Sequence, residues 1–181
     1  MTTLSAAFLD RDGTVMRDVG YPRRPSDVEL LPGAAAGIAR LNAADVPVVL
    51  VTNQSGIGRG LLTEADFEAV QEALRRRLAA EGARWDAVYH CPHDPDRETC
   101  GCRKPAGGLF ERAARELDLR LERSLFVGDR MRDLRFGMER GGRAFLLADE
   151  SAGGTPEPGV ATAPDLATAI ARTLAEVRSP A

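Results

Sequence analysis

Five short apolar runs punctuate this chain: AAFLD at 6–10, VPVVLVT at 46–52, DAVYHC at 86–91, SLFVGD at 124–129 and RAFLLA at 143–148. Each is of strand length and rich in Val, Phe and Leu. Helical spacing fills the intervals. Ile38 and Leu41 share one face. Phe67, Val70, Leu74 and Leu78 mark a second helix, with Thr63 as its N-cap. Leu109, Ala113 and Leu117 mark a third, and Leu134 and Met138 a fourth. A C-terminal helix over about 164–178 carries Leu166, Ile170, Leu174 and Val177 behind Pro164. Continuous apolar strands alternating with amphipathic helices specify an α/β fold, a parallel sheet buried on both faces. The segment 149–165, rich in Gly and Pro, reads as a surface loop.

At 181 residues the chain is expected to form a single domain over 1–181. A formal charge of −3 and dispersed arginines argue against a nucleic-acid binder. No apolar run approaches the ~20 residues that span a bilayer, and MTTLSAAFLD has no charged leader. A cytoplasmic location, no membrane partner and a monomer, since no extra apolar stripe asks for a second copy, are the expectations.

In a parallel sheet the ligand crevice lies beyond the carboxyl ends of the strands, and there the polar motifs gather. DRDGT at 10–14 sets Asp10 and Asp12 two residues apart after the first run. The bland reading is a strand-ending turn. The chemical one has Asp10 presenting a carboxylate to an electrophile and a cation while Asp12 gives and takes a proton. Thr52 and Asn53 end the second run, before the glycine-rich QSGIGRG, whose freed backbone N–H groups can cradle an anion. Asp129 and Asp133 follow the fourth run. Carboxylates converging on one crevice repel one another unless a cation relieves them.

All three cysteines and both histidines fall between positions 90 and 102. Cys91, His93, Cys100 and Cys102 form C-x-H, six residues, then C-x-C, a ligand set for tetrahedral, structural Zn²⁺. His90 belongs to the strand. Two residues beyond stands Lys104, the one lysine among 24 basic residues. A composition that otherwise uses arginine throughout makes Lys104 a candidate for a role a planar guanidinium cannot fill.

D-x-D-G-T, a strand-end Thr, a Lys and G-D-x-x-x-D, in this order over residues 6–148, resemble the haloacid dehalogenase (HAD) superfamily of phosphatases. The fold implied is a Rossmann-like three-layer sandwich. About thirty residues separate the first motif from the second strand, which leaves no room for a cap domain. VTNQSGIGRG at 51–60, DVGY at 18–21 and the loop ending in CRKP look most like the heptose-bisphosphate phosphatase branch. The six residues between His93 and Cys100 stand nearer the histidinol-phosphate phosphatases, and Arg130 stands where several heptose enzymes carry lysine. The resemblance implies a sugar-phosphate substrate, Asp10 as nucleophile, Asp12 as acid and base, and Thr52 and Lys104 on the phosphoryl oxygens. It implies Mg²⁺ on Asp10, Asp12 and Asp129, with Asp133 one step back, orienting Lys104 or a metal-bound water. Asp18, Gly20, Tyr21, Asn53, Gln54, Ser55, Arg103 and Arg130 would contact the sugar or its second phosphate. Histidinol-phosphate phosphatase, polynucleotide end-phosphatase and a non-catalytic zinc-stapled binding module remain open.

Overall fold

The structure, a computed structural model, describes residues 4–148 and 156–178. Six strands form one fully parallel sheet: β1 Ala7–Leu9, β2 Val48–Asn53, β3 Ala87–Cys91, β4 Leu125–Gly128, β5 Arg143–Leu147 and β6 Ala161–Ala163. Their spatial order is β3-β2-β1-β4-β5-β6. Chain order reverses between β1 and β4, where Phe8 pairs with Phe126. That reversal opens a crevice beyond the strand ends.

Side-chain alternation along each strand builds the two outer layers. Ala7, Leu9, Val48, Leu50, Leu125, Val127, Phe145 and Leu147 point to one face and are buried under three helices. These are α1 Ala34–Ala43, α3 Glu64–Ala80 and α6 Leu166–Arg178, which supply Ile38, Leu41, Val70, Leu74, Leu78, Leu166 and Ile170. Phe8, Val49, Val51, Phe126 and Leu146 point to the other face. There α4 Gly108–Glu116 and α5 Met131–Glu139 cover them with Leu109, Phe110, Leu134 and Phe136. Phe8 stacks on Phe126 at 5.0 Å and meets Phe110 edge-on at 5.5 Å, the favoured aromatic geometries. Gly137 lets α5 approach this cluster, because a Cβ there would lie 2.3 Å from Phe126.

Helix α3 starts as expected at Thr63, whose hydroxyl accepts the Asp66 N–H while the Asp66 carboxylate accepts the Thr63 N–H. Asp165 opens α6 by accepting the Thr168 N–H at 2.7 Å. Two expectations are corrected. Residues 149–155 of the expected surface loop lie outside the described residues, but its later part contains β6, paired with β5. Ala161-Thr162-Ala163 carries no apolar run, and sheet pairing at the edge overrides its weak local signal. Leu117 does not extend the apolar face of α4; it caps the helix and is 38% exposed.

Between β2 and β3 lies one further element, α2 Ser55–Gly58, a single turn. Segments 10–33 and 53–63 hold only short turns and α2, so no inserted domain covers the strand ends among the described residues. No helix there is long and apolar enough to cross a membrane.

Candidate active site

A recess of about 270 Å³ opens over the carboxyl ends of β1, β2 and β4. Asp10, Asp12, Asp18, Gly20, Tyr21, Thr52, Asn53, Gln54, Ser55, Arg103, Lys104 and Arg130 all line it. These twelve were each named from sequence, and Arg132 is the addition.

Lys104 is buried among them, at 3% exposure. Its ammonium donates to Asp10 Oδ1 and to the Val51 carbonyl, each at 2.7 Å, and meets Asp133 Oδ1 at 2.7 Å. Three N–H groups thus face three acceptors. Burial works against the ammonium, but Asp10 and Asp133 hold its pKa above the ordinary lysine value. The backbone of Lys104 is fixed as well. Its N–H donates to Asn53 Oδ1 at 3.0 Å and its carbonyl accepts from Asn53 Nδ2 at 3.1 Å. Both ends of the Asn53 amide are therefore spent on the lysine's backbone.

The Asp12 carboxylate turns the other way. It accepts from Gln54 Nε2 at 2.8 Å and from the Arg11 guanidinium at 3.0–3.2 Å, with Thr52 Oγ1 at 3.4 Å. Gln54 also donates to Thr52 Oγ1 at 2.9 Å. Two acids two residues apart thus have opposite surroundings, one against an ammonium and one against a fork of N–H donors.

Asp10, Asp129 and Asp133 bring carboxylate oxygens within 4.8 Å of one another. Burial pushes the Asp10 carboxyl up to about 7 against the pull of Lys104, and Asp133 and Asp12 add to the rise. Burial, then Asp133, raises Asp129 too. A hard cation with oxygen ligands is what such a set accommodates. Gly13, at φ +81°, leaves the space: a Cβ there would lie 2.5 Å from Asp129 Oδ2. The trio differs from the expected ligand set in including Asp133, whose Oδ1 is already against Lys104.

At the end of β3, Cys91, His93, Cys100 and Cys102 converge. His93 Nδ1 lies 3.1 Å from Cys102 Sγ and 3.5 Å from Cys91 Sγ, and the sulfurs are 3.1–3.6 Å apart. Disulfide bonding needs about 2.05 Å. A tetrahedron with Zn–S near 2.3 Å has edges of about 3.75 Å, so the donor set fits zinc. His93 Nε2 faces the Glu98 carboxylate at 3.8 Å, the outer partner a metal-bound imidazole commonly has. His90 stays apart, against Glu64 at 3.0 Å and with its ring tilted against Phe67, centroids 4.2 Å apart.

The glycine-rich loop limits where the expected anion cradle can form. Backbone N–H groups from Ile57 to Leu62 all donate to carbonyls, Gly58 to Pro92 and the others within the loop, and are not free to cradle an anion. Its glycines serve close packing. A Cβ on Gly58 would lie 2.5 Å from the Asp94 nitrogen, and one on Gly56 2.6 Å from Tyr21. Arg59 reaches across to Asp94 and Asp96. The loop is thereby seated on the cysteine-bearing segment.

Around the mouth, Arg130 approaches Asp18 and Asp129, each at 3.5 Å. Arg103 has a buried Nη1 with no hydrogen-bond partner. Arg11, which lies inside the first motif, and Arg132, two residues beyond Arg130, were overlooked; the signal for each was a charge beside a motif acid.

A family model described as HAD-hydrolase-like matches residues 101–177. The D-glycero-beta-D-manno-heptose-1,7-bisphosphate 7-phosphatase of Bordetella bronchiseptica is 39% identical over 93% of this chain and 97% of its own length. The Helicobacter pylori enzyme of the same name is 38% identical over 86% and 90%. The crystal structure of the B. bronchiseptica D,D-heptose 1,7-bisphosphate phosphatase, complexed with magnesium and phosphate, superposes with a TM-score of 0.84 at 38% identity, covering 94% of this chain and 99% of that one. With relatives this similar over nearly its whole length, the chain belongs to the HAD-like heptose-bisphosphate phosphatase family.

Proposed function

We propose that the chain is a phosphatase that removes the 7-phosphate of D-glycero-D-manno-heptose 1,7-bisphosphate through an aspartyl-phosphate intermediate. The observation that carries this reading is the pairing of Asp10 with Lys104 beside a differently held Asp12 in one recess. A carboxylate oxygen of Asp10 attacks phosphorus. As the P–O bond to the sugar breaks, its electron pair goes to the leaving oxygen, which takes a proton from the Asp12 carboxyl. In the second step Asp12 removes a proton from water while the water oxygen attacks the acyl phosphate. Inorganic phosphate leaves and the Asp10 carboxylate returns. Lys104 and Thr52 stabilise the equatorial oxygens as charge redistributes.

The Asp10 and Asp129 carboxylates and the Asp12 backbone carbonyl would hold Mg²⁺, which when bound neutralises charge on the phosphoryl oxygens. Cys91, His93, Cys100 and Cys102 would hold Zn²⁺ as a fastener of the 91–104 segment. Asp133 keeps the Lys104 ammonium in place. Arg103, Arg130 and Arg132 would take the second phosphate, the planar fork suiting phosphate oxygens. Asp18, Gly20, Tyr21 and Ser55 form the sugar wall, and Asn53 and Gln54 act from behind, on Lys104 and Asp12. We read the protein as a cytoplasmic monomer.

The shortness of the zinc loop favours one rival, histidinol phosphate. Phosphate release from heptose 1,7-bisphosphate, histidinol phosphate and a 3′-phosphorylated oligonucleotide, measured in parallel with Mg²⁺, separates them. The heptose bisphosphate should give the highest kcat/KM. Faster turnover of histidinol phosphate would replace the substrate assignment and leave the chemistry standing.

A further inference from the structure

Arg11 is a charged side chain with no exposure to solvent, the largest of the fully buried side chains. It follows β1, between the two acids of the motif. Each nitrogen of its guanidinium has a partner. Nε and Nη2 lie 3.0–3.2 Å from both oxygens of Asp12. Nη1 donates to Gln71 Oε1 at 2.9 Å, and the Phe67 ring lies 5.4 Å from the guanidinium carbon. Gln71 and Phe67 both come from α3 and are themselves buried. Gln71 Nε2 has no hydrogen-bond partner, so this glutamine serves through its carbonyl oxygen, aimed at Arg11.

A buried ion pair is weak evidence for stability, because removing both charges from water offsets most of their attraction. Asp12, moreover, is not sealed away: its side chain keeps 16% exposure and lines the recess. One end of the contact is therefore rigid and the other faces substrate. A guanidinium fork fixes both the direction and the plane of a carboxylate, which a single ammonium cannot. The hold also survives a change of protonation, since an oxygen of Asp12 remains an acceptor whether the group is COOH or COO⁻.

We infer that Arg11 is a positioning residue for the acid–base carboxylate, held from behind by Gln71 and Phe67 so that Asp12 addresses the oxygen leaving phosphorus. This rests on the proposed phosphatase chemistry. Arg11 touches no substrate. Its loss should matter in proportion to how much the leaving oxygen needs a proton: greatly for a sugar alkoxide, little for a nitrophenolate.

The test is single-turnover cleavage, with enzyme in excess so that only departure of the alcohol is read, on heptose 1,7-bisphosphate and p-nitrophenyl phosphate. Arg11→Met, apolar and of compatible size for a buried site, should slow the sugar ester ~100-fold, the low end for lost general-acid catalysis. It should slow the nitrophenyl ester less than ~5-fold and leave steady-state KM for the sugar ester within about 3-fold. Arg11→Lys should not rescue, having the charge without the fork. Gln71→Met removes only the rear anchor and should give the same leaving-group bias at about one tenth the size, which keeps the test intact should Arg11→Met fold poorly. Equal slowing of both esters, or a change in KM or melting temperature alone, would overturn the role. Wild-type cleavage of other alkyl phosphates but not the heptose ester would fail the substrate assignment only, and Arg11 is then tested on those esters. No ester cleavage at all by the wild type would overturn both.

Discussion

Lys104 is buried, and its one nitrogen contacts Asp10, Asp133 and the Val51 carbonyl, each at 2.7 Å. Lys104→Arg retains the charge but must push apart Asp10 and whatever phosphoryl group it receives. We expect kcat to fall at least ~100-fold, the cost of one misplaced charge-stabilising donor, with a stability loss of about 1–3 kcal/mol from overpacking. Steady-state kinetics and urea unfolding measure the two separately. Asp10 supplies a pH prediction for chelated, Mg²⁺-free protein. Its folded pKa is raised to about 7, with burial the largest cause, against ~3.9 in an unfolded chain. The folded state therefore binds this proton more tightly, and the Asp10 contribution to stability declines as pH rises from about 4 towards 7. Urea midpoints at pH 5 and pH 7.5 should show a larger decline for wild type than for Asp10→Asn, whose residue does not titrate, and Mg²⁺ should flatten the wild-type decline.

Two loops far apart in sequence act as one element. Gly58 donates to the Pro92 carbonyl, Gln54 N–H to the Cys91 carbonyl, and Arg59 pairs with Asp94 and Asp96. A side chain at Gly58 meets the Asp94 backbone at 2.5 Å. Gly58→Ala should thus lift the loop that carries Gln54 and Ser55, raising KM ~10-fold and lowering the melting temperature by a few degrees. Stripping the proposed zinc with a strong chelator should increase amide exchange in both 91–104 and 53–61; exchange confined to the first would mean the loops are not coupled. Legibility at this scale followed burial. The inner strands β1, β2, β4 and β5 carry buried apolar runs that could be read directly, and the edge strand β3 keeps a short one in Ala-Val-Tyr, whereas the edge strand β6 has only Ala-Thr-Ala. Helix α2 was invisible because two of its four residues are glycine, and it forms through loop carbonyls and docking on the cysteine segment.

At the scale of the molecule, the sheet order places the ends of β1, β2 and β4 around one crevice at the reversal between β1 and β4. That is why the residues lining this recess were readable from sequence: parallel strands deliver their carboxyl ends to one side, so polar groups following apolar runs meet there. What the sequence could not reveal was which groups pair across it. Asp10 and Lys104 are 94 positions apart, and nothing local shows that Arg11 turns inward to Asp12 or that the Asn53 amide is spent on the Lys104 backbone. The central claim is that Asp10 carries the phosphoryl group. Acid quench of a reacting mixture within one turnover, followed by peptide mass analysis, tests it most directly. The expected result is a phosphoryl adduct on Asp10 that forms and decays with turnover and is absent in Asp10→Asn. An adduct on another residue, or undiminished phosphate release by Asp10→Asn, would contradict it.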